Sequence, residues 1–143
     1  MIRPAVALAI TGCLPAFPAQ TADVFAGPVK ASVVRVLDGD TFFALARIWP
    51  GQTVEVNIRI RGIDAPERKA RCPAERRAAA DAAEALRLLI DDAEVDISNI
   101  ASAKYHGRVL ADVAAPNGLD VARHLLEKGL VRPYAGGRRD PWC

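Results

Sequence analysis

Between Gln52 and Ile63 the chain alternates without a break. Val54, Val56, Ile58 and Ile60 occupy one parity, and Glu55, Asn57, Arg59 and Arg61 the other. Successive side chains of an extended strand point to opposite faces, so this pattern demands a strand with one face in a core and one in water. A slip of one residue would turn every valine and isoleucine outward, so the pattern also fixes how neighbouring strands must register. It sets Arg59 on the polar face, where a site can use it.

The flanking segments supply the partners. Lys30 to Leu37, with Val33, Val34 and Val36, reads as a strand, as does Thr41 to Trp49 with Phe42, Phe43, Leu45 and Ile48. Between them Asp38-Gly39-Asp40 is a turn in which Gly39 can take positive φ and the aspartates tolerate turn geometry. Pro50-Gly51 makes the next turn. Pro73, with Glu75 close behind, opens a helix to about Ile90. Its inward stripe is Ala78, Ala82, Ala85, Leu86, Leu89 and Ile90, and Arg76, Arg77, Asp81, Glu84 and Arg87 form the wet side. Ala93 to Ile100 and Arg108 to Ala115 are further strands, the latter ending at Pro116-Asn117-Gly118. A second helix covers about Leu119 to Lys128, with Val121, Leu125 and Leu126 inward and Gly129 as its stop.

The order β-β-β-α-β-β-α does not alternate strand and helix singly, which argues against a doubly wound sheet. It predicts an α+β chain, mainly β, with five strands in a small closed or partly open barrel and two packed helices. At 143 residues there is room for one domain, and only 6% aromatic content means that aliphatic side chains dominate the core. No internal repeat or low-complexity block follows the first segment. The formal charge of +2 is too small to argue for a nucleic-acid partner by itself.

Residues 1–22 read as an export leader: Arg3 supplies the charge, Ala5 to Phe17 is mostly apolar, and small residues follow around Ala19 to Ala22. The run is too short to cross a bilayer as a mature helix. Ile10-Thr11-Gly12-Cys13 offers a competing reading as a lipoprotein box, with Cys13 as the lipid-bearing residue. The expectation is therefore a periplasmic or secreted protein without a transmembrane segment in its mature form, and nothing in the sequence asks for more than a monomer. Residues 23–29 read as a flexible lead-in, 30–135 as the folded domain and 136–143 as a tail. Loss of the leader leaves Cys72 and Cys143. In an exported chain a pair suggests a disulfide pinning the tail to the middle of the domain, two free thiols being the alternative. The chain-entropy model assigns such a loop roughly 4 kcal/mol.

Three segments carry chemistry: Asp38-Gly39-Asp40-Thr41, Ile58-Arg59-Ile60-Arg61-Gly62-Ile63-Asp64-Ala65-Pro66-Glu67, and Gly107-Arg108. They bring hard oxygen ligands, one candidate general base and two forked cationic donors, the set a phosphodiester requires. With Arg59 five positions ahead of Asp64-Ala65-Pro66-Glu67, and with Gly107-Arg108-Val109-Leu110-Ala111 and Gly129-Leu130 further on, the chain from about Lys30 to Tyr134 resembles the staphylococcal nuclease (thermonuclease) family. The resemblance implies an OB-fold barrel with packed helices and a metal-dependent nuclease acting on DNA, RNA or both. It implies Ca²⁺ held by Asp40, Asp64 and the backbone carbonyl of Ala65, with Glu67 activating water and Arg59 and Arg108 on the scissile phosphate. It also implies cleavage that leaves 3′-phosphates.

The chain departs from the family pattern where Lys-Tyr commonly precedes Gly-Arg. Here Tyr105-His106 stands in that place and Lys104 one position earlier, so Lys104, Tyr105 and His106, with Tyr134, are the candidate substrate-binding residues. The long terminal helix of the founding member is replaced by Tyr134 to Cys143. Either Tyr134 and Trp142 stack on bases while Arg138 and Arg139 track a backbone, or Trp142 packs on the barrel and Cys143 ties the tail to Cys72. The competing function is a non-catalytic OB-fold module that binds nucleic acid or protein.

Overall fold

The computed structural model describes residues 23–143. The expected leader and Cys13 lie outside the described residues. In chain order the elements are β1 (Val24–Phe25), β2 (Val29–Asp38), β3 (Thr41–Trp49), β4 (Gln52–Ile60), β5 (Ile63–Asp64), α1 (Pro73–Ile90), β6 (Glu94–Ser102), β7 (Arg108–Ala114), α2 (Val121–Glu127) and β8 (Arg132–Pro133). Strands β2, β3 and β4 form an antiparallel meander, β4 pairs with β7 in parallel, and β6 closes the ring by pairing with both β2 and β7. The result is a closed, mixed, five-stranded barrel with two helices, mainly β, as the OB-fold expectation requires. Closure removes the free edges that five short strands would otherwise expose.

The inward parity of each strand fills the barrel. Phe42, Ile58, Ile60, Val95 and Ile97 are fully enclosed, and α1 adds Ala82, Leu86 and Ile90 to the same core. Helix α1 begins where expected because Cys72 serves as N-cap, its sulfur accepting from the Glu75 N–H at 3.4 Å, with Pro73 in the first turn. Helix α2 is capped by Asp120, whose carboxylate accepts from the Arg123 N–H at 3.0 Å.

Five local expectations are corrected. The third strand ends at Ile60 rather than Ile63, because Gly62 takes φ 85° and turns the chain out of the barrel. Ile63 and Asp64 then pair with Arg132 and Pro133 as a separate ribbon. Gly39 does not adopt positive φ. What it supplies is room, since a Cβ there would lie 2.6 Å from the Ala82 Cβ and 3.0 Å from the Ala65 Cβ. The aspartate turn is thus pressed directly onto α1. The buried stripe of that helix is wider than expected, with Ala79 and Ala83 enclosed while Ala78, Ala85 and Leu89 are only partly buried. Residues 23–29 are not a loose lead-in: Val24 and Phe25 pair with Ala101 and Ile100, and the Asn99 N–H donates to the Ala26 carbonyl at 2.9 Å. Arg61 is not a solvated charge either. It donates to Asp112 at 3.1 Å and to the carbonyls of Asn99 and Leu110, clasping β4 to β6 and β7.

Candidate active site

The β2–β3 turn delivers Asp38 and Asp40 to one end of the barrel. The β3–β4 register pairs Thr41 with Arg59, which sets that arginine beside the turn. The turn at Gly62 and the β5–β8 ribbon then fix Asp64, and the loop that follows carries Ala65, Pro66 and Glu67. On the other flank the parallel pairing of Asn57 with Arg108 brings Arg108 to the same end. Asp38, Asp40, Thr41, Arg59, Ala65, Glu67, Arg108 and Arg139 line a polar cavity of about 220 Å³.

Two carboxylates in this site are buried, Asp40 at 5% and Asp64 at 4% exposure, so each must be paired or hydrogen-bonded to remain charged. Both are. Asp40 Oδ1 accepts from the Thr41 hydroxyl at 2.8 Å, and its Oδ2 accepts from the Ala65 N–H at 2.8 Å. Arg59 spans the two acids, with Nη1 2.5 Å from Asp40 Oδ2 and Nη2 3.4 Å from Asp64 Oδ1, while also donating to the Ile63 carbonyl at 3.2 Å. Tyr134 shelves this guanidinium, its ring centroid 5.8 Å away. Asp38 has its carboxyl pushed above the ordinary range, first by burial and then by the neighbouring charges of Asp40 and Glu67.

The donor set suits a hard dication. The two buried carboxylates offer hard oxygen atoms and lie within the span of one guanidinium, with the Thr41 hydroxyl at Asp40 and no sulfur or imidazole lining the cavity beside them. The grouping of Cys72, Glu75 and Cys143 does not make a second candidate, because the two sulfurs are bonded to each other rather than free as thiolates. The two cysteines that the sequence suggested as a pair lie at disulfide distance, with Cα atoms 6.2 Å apart.

The structure brings Asp40, Arg59, Asp64, Ala65, Glu67 and Arg108 to one place. Lys104 and His106 sit in the exposed β6–β7 turn and do not line the cavity. Tyr105 lies under Arg108, with 5.5 Å from the guanidinium carbon to the ring centroid, and so reaches the site only at its rim. Tyr134 lines a neighbouring groove of about 450 Å³ on the far side of Arg59.

One contact was not anticipated. Arg139 enters from the tail and donates to Asp64 at 3.0 Å and to Glu67 at 2.7 Å. Its own pKa is raised, chiefly by the bond to Glu67. The signal was present in the spacing: Cys72 follows Glu67 by five residues and Cys143 follows Arg139 by four, so a bridge between the cysteines must draw Arg139 toward Glu67. Glu67 therefore pairs with the tail rather than with Arg68, which donates to the Leu37 carbonyl at 2.7 Å.

The fold is a closed five-stranded barrel with two helices that carries paired acids and arginines at one end. Residues 57–140 match the staphylococcal nuclease homologue family, and the chain belongs to it. It is also similar to two Escherichia coli proteins, one from strain O157:H7, each described as an uncharacterized endonuclease. The identity is 29% over 118 residues, which covers 82% of this chain and 69% of either relative.

Proposed function

We propose that this chain is an exported, calcium-dependent nuclease that hydrolyses phosphodiester bonds of DNA, RNA or both. One observation carries the reading: a single polar cavity is lined by Asp38, the buried Asp40 and Glu67 together with Arg59 and Arg108, and Arg59 also reaches the buried Asp64 beside it. Family membership and the endonuclease description of the relatives support the same conclusion.

Asp40 and Asp64, with the Ala65 carbonyl, are the residues that would hold the ion, which when bound supplies Lewis-acid neutralisation of phosphate charge. Arg59 and Arg108 donate to the non-bridging oxygens, and their planar forks become more valuable as the phosphorus gains a fifth ligand and a further negative charge. Glu67 takes the proton of the attacking water. The water oxygen bonds to phosphorus, the 5′ P–O bond breaks, and its electron pair leaves on the 5′-oxygen, which takes a proton from solvent. A 3′-phosphate remains. Thr41 and the Ala65 N–H keep Asp40 oriented throughout.

The decisive test is a calcium titration of single-stranded DNA digestion by the purified protein. Activity should rise with the ion and vanish with chelator, and the double variant Glu67→Gln with Arg59→Ala should be inactive. Undiminished digestion by that variant refutes the assignment. Export draws support from the apolar first segment and from the paired cysteines. Intact mass of the protein recovered from the host's outer fractions tests it. Loss of about 22 residues supports a cleaved leader, a lipid on Cys13 the lipoprotein form, and an uncut chain neither.

A further inference from the structure

The last twelve residues form a closed clasp around the acidic end of the site. It starts beside Asp64, where Arg132 pairs in register with that residue and the Tyr134 N–H donates to the Gly62 carbonyl at 2.9 Å. Gly136 and Gly137, at φ 101° and 85°, reverse the chain, and the Tyr134 hydroxyl closes the turn by donating to the Gly137 carbonyl at 2.8 Å. Side chains other than glycine rarely adopt such torsions, so the reversal is written into the sequence. The returning strand presents Arg139 to Asp64 and Glu67. Beyond it, Arg132 donates to the Pro141 carbonyl at 3.1 Å and lies against the Trp142 ring, 3.7 Å from its centroid. Cys143 is then bonded to Cys72, five residues past Glu67.

Glu67 needs such a device. Its side chain is 55% exposed on a loop between β5 and α1, and the loop's own restraint is on backbone: the Glu67 N–H donates to Glu75 at 3.0 Å. Among the described residues, the ion pair that fixes its carboxylate is the one with Arg139, at 2.7 Å. A base must sit within about half an ångström of its working position, and a charge-assisted bond from a covalently anchored segment holds it there.

We propose that Arg139 is a positioning residue for Glu67, delivered to the site by a C-terminal clasp that the Cys72–Cys143 bridge closes. The inference rests on the reading of Glu67 as the base. The site is then complete only in the oxidised chain. Reduction frees the tail at its end, Arg139 loses its anchor, and Glu67 returns to the rotamers of a loop carboxylate.

The test compares Arg139→Ala, Arg139→Lys, Cys143→Ser and the double variant Arg139→Ala with Cys143→Ser. Arg139→Ala should lower kcat by about 10- to 100-fold with KM nearly unchanged, since a misplaced base costs turnover rather than binding. Arg139→Lys should recover part of the loss. Cys143→Ser, or reductant on the wild type, should repeat it, and the double variant should be no slower than the worse single change, because both remove one contact. Independently of activity, hydrogen exchange of the Glu67 and Ala70 amides should quicken in Arg139→Ala while the exchange of α1 stays as it was. A kcat that is kept, or one that rises as for an unplugged site, overturns the proposal, as does additivity of the two losses. Failure of the wild type to cleave nucleic acid would remove the reading of Glu67, whereas unchanged exchange in Arg139→Ala removes the clasp itself.

Discussion

The two ends of the barrel are built from the same strands and behave as opposites. At one end the β2–β3 turn, the tip of β4 and the loop after β5 gather Asp38, Asp40, Arg59, Asp64 and Glu67. At the other, Val29, Ala46, Val56 and Ile97 line an apolar cavity of about 330 Å³, with Phe25 and Ile48 on its rim and Trp49 exposed beside it. The difference lies in how tightly each residue depends on its neighbours. In the acidic end the low surrounding dielectric makes every charge rely on one or two named partners, so a single change is felt by the whole group. At the apolar end the interactions are many and small, so a change costs in proportion to the volume it removes.

Four measurements would sharpen or break that contrast. Arg108→Ala should have the largest effect, lowering kcat by about 10²- to 10³-fold through lost transition-state charge stabilisation. Its melting temperature should hardly move, because Arg108 takes part in none of the ion pairs among the described residues. A large fall in melting temperature would show the acidic end to be structural first. Gly39→Ala comes next: the new methyl must push Ala82 or Ala65 aside, costing roughly 1–3 kcal/mol in urea unfolding. It should also slow cleavage, since Asp40 rides on the same turn. Loss of stability without loss of rate would uncouple the turn from the chemistry. Ile97→Val, at the apolar end, should cost about 0.5–1.5 kcal/mol and leave kcat untouched well below the melting temperature. A changed kcat there would mean that the two ends communicate.

The smallest effect concerns pH. The folded chain holds the Asp38 proton more tightly than the unfolded chain, whose value is the ordinary 3.8. Protonation therefore favours the fold. That stabilisation is fully present below 3.8 and is lost as pH rises through the elevated folded value. Asp38→Asn should accordingly stabilise the metal-free protein at neutral pH, with the advantage shrinking as the pH falls into this window. Thermal melts at several pH values check the sign; a variant less stable at neutral pH would contradict it.

Much of the molecule was legible from local pattern. The limits of β3 and α1 follow from local signals, because the first lies between turn residues and the second begins at a proline with an acid behind it. The end of β4 was misread because the apolar parity continues to Ile63 after Gly62 has already turned the chain. Arg59 and Arg61 show the same limit on a finer scale. They share a face two residues apart, yet one spans Asp40 and Asp64 while the other clasps Asn99, Leu110 and Asp112.

Alternation, caps and turn residues are interactions within a few positions, and from them the sequence alone determined a mainly β barrel with two helices. Tertiary structure decided which guanidinium meets which carboxylate, that Gly39 serves by its missing Cβ, and that Arg139 reaches Glu67 across 72 positions. Those outcomes depend on barrel closure and on one covalent bridge, which bring together groups whose separation along the chain carries no periodic signal.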